Sequence, residues 1–162
     1  MKITKVDAIQ IEDKPADQPG WRPIVCRVYT DTGLYGDGEA AIAYGVGSTA
    51  AYAMIQDLAK LIIGMNPLDT EVIWEKLYKS TFWAQNGGPI VFAGISALDI
   101  ALWDIKGKYF NVPVYQLLGG KMSFAVMQVS SNLAGEKEKH RHIRLKIMLQ
   151  MQKKLFRKAM ML

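Results

Sequence analysis

The chain is poor in cysteine and histidine, and this limits the chemistry that it can carry. Its 162 residues include one Cys and two His. Cys26 has no second cysteine to pair with, which excludes an internal disulfide, and its place in the strand-like run IVCRVYT predicts a buried structural thiol. There is no apolar run of about 18 residues or more, and the N-terminus MKITKVDAIQ lacks the apolar stretch of a signal peptide. These absences predict a protein of the reducing cytoplasm with no membrane span.

Charge is distributed unevenly along the chain. Residues 1–120 contain 10 Lys/Arg and 13 Asp/Glu, whereas residues 121–162 contain 10 Lys/Arg and 2 Glu, together with both His and six of the nine Met. Two different compositions therefore meet near Lys121. We predict a folded domain over residues 1–120 and a separate basic, Met-rich segment over residues 121–162, the basic tail. The net charge of +5 arises from the basic tail and says nothing about the partners of the domain.

Three strands are predicted in the first forty residues, over Lys2–Glu12, Ile24–Thr30 and Leu34–Ala40. The second is rich in β-branched residues, and Asp31-Thr32-Gly33 is typical of the tight turn between antiparallel strands. The Pro-, Gly- and Asp-rich segment between the first two strands predicts a loop. The pattern indicates a three-stranded antiparallel meander.

Helices are predicted over the next eighty residues, at 49–63, about 69–82 and 90–109. Ser48 is the predicted N-cap of the first helix, and Gly64 is predicted to end it. The predicted buried positions of the later two helices are Val72, Ile73, Leu77, Phe82, Ile95, Leu98, Leu102 and Ile105. Strands followed by helices, without βαβ alternation, indicate an α+β domain.

Several polar and glycine residues could be mistaken for functional motifs. Gly36-x-Gly38 and Gly87-Gly88 fit neither phosphate-binding pattern, so we interpret them as requirements of backbone geometry. Glu39 is predicted to make a polar contact at a strand end. Structural roles are predicted for Asp99, Asp104 and Lys106, because Asp99 and Asp104 are too far apart around the helix to act as a carboxylate pair.

An ordered set of segments resembles a known family. It consists of KITKVDAI, VCRVYTDTGLYGDGEA, PLDTEVIWEKLY and ALDIALWDIKGKYFNVPVYQLLGG. Together they resemble the enolase superfamily in its mandelate racemase and muconate lactonizing enzyme branch, and most of all its acid-sugar dehydratase and mandelate racemase group. The resemblance implies acid-sugar dehydration as the parent reaction and leaves racemisation and cycloisomerisation open. The resemblance implies an enolase-like N-terminal capping domain at residues 1–120. In the family a (β/α) barrel follows this domain; only 42 residues follow Gly120 here, so we expect the chain to lack the barrel.

The resemblance also implies where the chemistry would come from. In the family the barrel supplies the Lys or His bases and three carboxylates that hold Mg²⁺, and proton abstraction takes place next to a substrate carboxylate. No position of this chain matches those motifs, so we expect no catalytic residue, no metal ligand and no cofactor in the chain itself, and no activity of the chain alone.

In the family, two loops of the capping domain contribute residues that determine substrate specificity. These loops correspond here to Asp13–Pro23 and Ala41–Gly47. The substrate-binding candidates in these loops are Lys14, Trp21, Arg22 and Tyr44. Lys or Arg would pair with a substrate carboxylate, and Trp or Tyr would form a pocket wall. The alternative is that they are ordinary loop residues, with Trp21 packed on the meander.

A shifted reading frame would account for the basic tail. The family continues with a barrel strand of the form R/C-Y-A-S-Q-L-Q-F-G-W-G, whereas this chain reads AVMQVSSNLAG at Ala125–Gly135. Codons read one base out of register from Ala125 onward permit every residue of the family pattern. We therefore hypothesise a one-base frameshift near Met122 that replaced the barrel.

Two further readings remain open. The chain could be a stand-alone interaction module whose basic tail binds nucleic acid or an acidic partner, although the composition favours the frameshift over nucleic-acid binding. It could instead be one half of a split enzyme, with the barrel on a partner chain. We also expect the chain to associate into a homo-oligomer, because loss of the barrel would expose apolar surface. A sugar-acid substrate is expected only for a full-length parent.

Overall fold

The structure is a computed structural model that describes residues 1–11, 20–85 and 87–120. Residues Met1–Gly120 form one compact unit. The elements in chain order are β1 (Ile3–Gln10), β2 (Ile24–Thr30), β3 (Tyr35–Ala40), α1 (Ser48–Ile62), α2 (Thr70–Ser80), a 3₁₀ turn (Phe82–Ala84), α3 (Pro89–Phe110) and α4 (Val114–Leu117). This order confirms the predicted α+β class. The basic tail, and with it the frameshift hypothesis, lies outside the described residues.

The three strands form one antiparallel sheet in the order β1-β2-β3. Thr30 N donates to Leu34 O at 3.0 Å and closes the β2–β3 turn, in which Gly33 has a φ of 82°. Glycine adopts that left-handed conformation without the steric cost that other residues carry. The predicted meander is confirmed, with bounds that differ slightly for β1 and by one residue for β3.

One face of the sheet is covered by helices. α3 packs against β2 and β3, and α1 packs against β1 and α3. The predicted buried positions of α3 are confirmed, because each of the four is at most 1% exposed: Ile95, Leu98, Leu102 and Ile105. These side chains, together with Ile24, Val28, Ile55 and Ile62, belong to one hydrophobic core.

Two details of the helix predictions are wrong. Ser48 is the first residue of α1, not its cap; Gly47 occupies the N-cap with a φ of 108°, and the Ser48 hydroxyl accepts a hydrogen bond from Gln10 Nε2 at 3.1 Å. Val72 and Phe82 are 58% and 68% exposed, not buried. The helical period cannot carry Phe82 into the core because α2 ends at Ser80 and Thr81 is extended.

The two glycines of the Gly36-x-Gly38 motif let β3 lie directly against α3. A Cβ atom added at Gly36 would overlap the carbonyl oxygen of Ala101, and one added at Gly38 would overlap that of Ala97. Both obstacles are main-chain atoms of α3. The motif therefore serves close packing between strand and helix, as predicted, rather than phosphate binding.

An ionic network fastens α3 to the same strand. Arg27 donates to both carboxylate oxygens of Asp37, at 2.6 and 2.9 Å. Asp104 Oδ2 accepts from the backbone N of Asp37 at 3.0 Å and from Lys108 Nζ at 2.7 Å, and Lys108 Nζ also donates to Tyr35 O at 2.8 Å. The predicted structural role of Asp104 is confirmed.

The remaining polar residues of α3 also serve the fold. Lys106 Nζ donates to Thr70 Oγ1 at 3.3 Å and links α3 to α2. Asp99 is half-buried; burial, reinforced by the charge of Glu71, raises the pKa of its carboxyl, and a hydrogen bond from Trp103 opposes the shift. The bond to Thr70 agrees with the structural role predicted for Lys106; a structural role for Asp99 stays a prediction.

Cys26 is a buried structural thiol, as predicted. It is 0% exposed, and its Sγ donates to Ala97 O on α3 at 3.1 Å. Burial disfavours the thiolate and raises the pKa of Cys26 to about 12. The thiol is therefore protonated at neutral pH and cannot serve as a nucleophile there.

Candidate functional site

Two loops lie side by side at one end of the sheet: residues 20–23, the described part of the first loop, and residues 41–47, the second loop. Ile24, the first residue of β2, pairs with Ala40, the last residue of β3. Because these strands are antiparallel, the chain that enters β2 and the chain that leaves β3 occupy the same end. The sheet register thus brings residues 20–23 next to residues 41–47, the segments that contain three of the four candidate residues, Trp21, Arg22 and Tyr44.

Main-chain hydrogen bonds join the two loops. Arg22 N donates to Ala43 O at 2.5 Å, and Gly45 N donates to Gly20 O at 3.1 Å. Between these bonds, Trp21 and Tyr44 form an isolated antiparallel bridge. The pairing continues the sheet beyond its regular strands and places the two aromatic residues directly opposite each other.

An open cavity of about 510 Å³ lies beside this bridge. It is lined by Trp21 and residues 39–44. Trp21 is 49% exposed and Tyr44 is 51% exposed, so each ring presents surface to a ligand. Each side chain combines an apolar ring with one polar group, the combination that suits a ligand with both C–H surface and hydroxyl groups.

Arg22 differs from its aromatic neighbours. Its side chain is buried, with 4% exposure, and Nη1 donates to Gly45 O at 2.7 Å. The structure therefore brings three of the four candidates together, with Trp21 and Tyr44 at the cavity and Arg22 between the loops. Lys14, the fourth candidate, lies outside the described residues.

Sequence reasoning missed two features of this site. Glu39 lines the cavity, whereas it was predicted only as a polar contact at a strand end. Its position at the end of β3, beside a candidate loop, was the available signal. Ile42 has a φ of 66°, a left-handed conformation that is strongly disfavoured for a β-branched residue. No sequence signal marks a β-branched residue for that conformation.

The described residues offer no ligand set for the Mg²⁺ that the resemblance implies. Residues 1–11, 20–85 and 87–120 contain no group of three or more His, Cys, Asp or Glu side chains placed to hold a metal ion. Mg²⁺ is bound through carboxylate oxygens and water in near-octahedral geometry, which isolated acids do not supply. The described residues therefore do not fit a Mg²⁺ site. The same part of the chain has no helix with the length and apolarity to cross a bilayer.

Comparison with known proteins identifies the family. Residues 21–119 match the family model described as "Mandelate racemase / muconate lactonizing enzyme, N-terminal domain". The D-galactonate dehydratase of Pectobacterium atrosepticum is 41% identical over 120 residues, which are 74% of this chain and 28% of that protein. The D-mannonate dehydratase of Novosphingobium aromaticivorans is 38% identical over 109 residues, which are 67% of this chain and 26% of that protein.

Solved structures similar to this chain come from the same group of enzymes. A member of the enolase superfamily from Salmonella Typhimurium is 51% identical with a TM-score of 0.70; the match covers 75% of this chain and 30% of that one. The 3,6-anhydro-D-galactonate cycloisomerase of Zobellia galactanivorans is 34% identical with a TM-score of 0.64, over 74% of this chain and 32% of that one. The chain thus spans about a quarter to a third of the length of its relatives. The chain belongs to the mandelate racemase / muconate lactonizing enzyme family, and its residues 21–119 correspond to the N-terminal domain of that family.

Proposed function

We propose that residues 1–120 act as the capping domain of a sugar-acid dehydratase, and that Trp21 and Tyr44 form one wall of its substrate pocket. The observation that carries the proposal is the bridged, half-exposed aromatic pair beside the 510 Å³ cavity. Support comes from relatives that are D-galactonate and D-mannonate dehydratases. In this proposal the two rings pack against the carbon skeleton of an acid sugar, and the Glu39 carboxylate accepts hydrogen bonds from its hydroxyl groups.

The reaction that we propose for the complete enzyme is Mg²⁺-dependent proton abstraction next to the substrate carboxylate, followed by loss of water. When bound, the metal would stabilise the negative charge that develops on that carboxylate. The part of this chain that the structure describes contributes recognition, not the base or the metal ligands. We therefore propose that the 162-residue chain alone is inactive and that the base and the metal ligands come from a barrel.

A chimera tests the pocket wall. Residues 1–120 would replace the matching segment of the Pectobacterium atrosepticum D-galactonate dehydratase, and Mg²⁺-dependent formation of the α-keto acid product would be followed with D-galactonate and with D-mannonate. We expect turnover by the chimera and none by the isolated chain. Turnover of either sugar acid by the isolated chain would contradict its proposed inactivity.

Single substitutions in the chimera locate the contribution of each ring. Trp21→Ala or Tyr44→Ala should raise KM about tenfold or change the preference between the two sugars, since a buried aromatic contact typically accounts for one to a few kcal/mol of binding. Trp74→Ala is the matched control, because this partly exposed tryptophan stacks on Tyr78 of α2 and does not line the cavity. Equal kinetics for all three variants would refute the pocket wall. If the chimera does not fold, the isolated chain mixed with the relative's barrel fragment provides the same comparison.

The origin of the basic tail is a separate proposal. We propose that residues 121–162 are the product of a one-base frameshift near Met122. The nucleotide sequence of codons 118–130 decides this: a single-base change there should restore a long barrel-like reading frame. If none does, the frameshift is wrong. A split enzyme would show instead a neighbouring reading frame that begins inside the barrel, and activity when both products are mixed.

The second candidate function, an interaction module, is favoured by one observation. The basic tail contains 10 Lys/Arg and 2 Glu in 42 residues, a composition that binds polyanions. Salt-sensitive binding to duplex DNA that is lost on deletion of residues 123–162 would support this function and argue against the frameshift product. The cytoplasmic location and a homo-oligomeric state remain predictions.

A further inference from the structure

We propose that Arg22 is a positioning residue that holds the two loops together as one unit and thereby sets the spacing between Trp21 and Tyr44. The inference rests on the proposed function only in its consequence for substrate binding. The positioning itself follows from burial and hydrogen bonding.

Adjacent residues of the first loop point in opposite directions. Trp21 is 49% exposed, whereas Arg22 is 4% exposed. Successive side chains of an extended segment alternate between faces, so the bridge that turns the Trp21 ring outward turns the guanidinium inward. Burial of a guanidinium carries a large desolvation cost and requires hydrogen-bond partners within the protein. The partner that the second loop provides is the carbonyl oxygen of Gly45, at 2.7 Å.

Gly45 is bound to the first loop through both of its main-chain polar groups. Its N donates to Gly20 O at 3.1 Å, and its O accepts from Arg22 Nη1. Gly45 follows Tyr44 directly, so the orientation of this glycine governs where the Tyr44 ring lies. Its φ of 73° is open to glycine, and the residue would be free to rotate if these bonds were absent.

The second loop also contains a strained residue that needs support. Ile42 has a φ of 66°. A β-branched residue persists in that conformation only where its surroundings hold it. Its next neighbour Ala43 accepts the hydrogen bond from Arg22 N at 2.5 Å, so the same arginine anchors the loop at Ala43 and at Gly45. Loss of the side chain leaves the strain at Ile42 and removes one of the bonds that oppose it.

Amide hydrogen exchange on the full chain tests the positioning role. In Arg22→Met the Gly45 amide should lose protection by about tenfold or more, since a hydrogen bond from a charged group typically contributes an order of magnitude or more to a local opening equilibrium. The amides of β2 should change little. Arg22→Lys, which retains a cationic donor, should recover part of the protection. Arg27→Met is the matched control, because it also removes a guanidinium, but one whose ion pair is with Asp37 inside the sheet.

Three results would overturn the inference. Unchanged protection of Gly45 in Arg22→Met would show that the main-chain bonds suffice. An equal loss across β2, or failure of both Arg22 variants to fold, would show that Arg22 stabilises the whole domain rather than the loops.

Kinetics of the chimera separate this inference from the proposed function. Arg22→Met should raise KM for the sugar acid with kcat little changed, and Arg22→Lys should be intermediate. If exchange shows loosened loops while KM stays constant, the positioning role stands and the pocket wall fails.

Discussion

The close approach of β3 to α3 predicts that Gly38→Ala is among the most destabilising substitutions available to this domain. The added Cβ would overlap the carbonyl oxygen of Ala97, well inside the 3.0 Å that real Cβ atoms essentially never show. That oxygen belongs to the middle of the 22-residue helix α3, so it cannot rotate away as a side chain would. The helix or the strand must move as a whole.

The expected loss exceeds that of ordinary overpacking. An extra methyl group in a packed core costs about 1–3 kcal/mol when side chains adjust around it. Here Ala97, Leu98 and Ala101 are each 0% exposed, so a shift of α3 disturbs the whole interface between helix and sheet. We expect the free energy of unfolding to fall by about 3 kcal/mol or more, a large part of the 5–15 kcal/mol typical of a domain.

Urea unfolding of the full chain, followed by circular dichroism, measures this loss. Gly33→Ala is the matched control: it has no atom within 4 Å of an added Cβ but has a φ of 82°, so it should lose about 1–2 kcal/mol from backbone conformation alone. Adding Ala97→Gly to Gly38→Ala should restore nothing, because the obstacle is a main-chain oxygen. A smaller loss for Gly38→Ala than for Gly33→Ala, or rescue by Ala97→Gly, would refute the reasoning.

Two further predictions concern α3 contacts. Burial raises the pKa of Cys26 from 9.0 to about 12. The stability that its protonated thiol contributes is complete below pH 9 and is lost between pH 9 and 12. The free energy of unfolding of the wild type should therefore fall by roughly 1 kcal/mol per pH unit there relative to that of Cys26→Ala, as measured by urea unfolding at each pH. Asp104→Ala removes the acceptor for Asp37 N and for Lys108, so its free energy of unfolding should fall by about 1–2 kcal/mol. Lys79→Ala, which removes an exposed pair with Glu75, should change it by less than about 0.5 kcal/mol; equal losses would contradict the role of Asp104.

The elements that sequence reasoning predicted well are those with local causes. The β-branched run of β2 and the Asp31-Thr32-Gly33 turn define two strands within a few residues of each other. In α3 the apolar side chains recur at the helical period, and the four that were predicted to be buried are all buried. The end of α2 was missed because Thr81 becomes extended without a glycine or proline beside it.

The candidate site was only partly predictable, for a different reason. Trp21 and Tyr44 could be selected from loop position and family resemblance, but the bridge between them depends on the register of β2 and β3. The burial of Arg22 depends on a carbonyl 23 residues further along the chain. Contacts between residues so far apart in sequence cannot be predicted from composition or periodicity, so loop position, family resemblance and charge predict a substrate-binding role for Arg22 but not its bond to Gly45.

The glycines of β3 and Arg22 both help to position the two loops, the glycines through the strand that precedes the second loop and Arg22 through bonds between the loops. Gly36 and Gly38 allow β3 to pack closely on α3. This packing fixes the position of Ala40 and therefore the start of the second loop. Ala40 pairs with Ile24, so the end of the first loop is fixed by the same contact. With both loop roots held on a packed frame, a few hydrogen bonds between residues 20–22 and 43–45 suffice to orient the two aromatic rings. The Gly36-x-Gly38 motif thus influences the shape of the cavity through the packing of β3 on α3, although neither glycine lines the cavity.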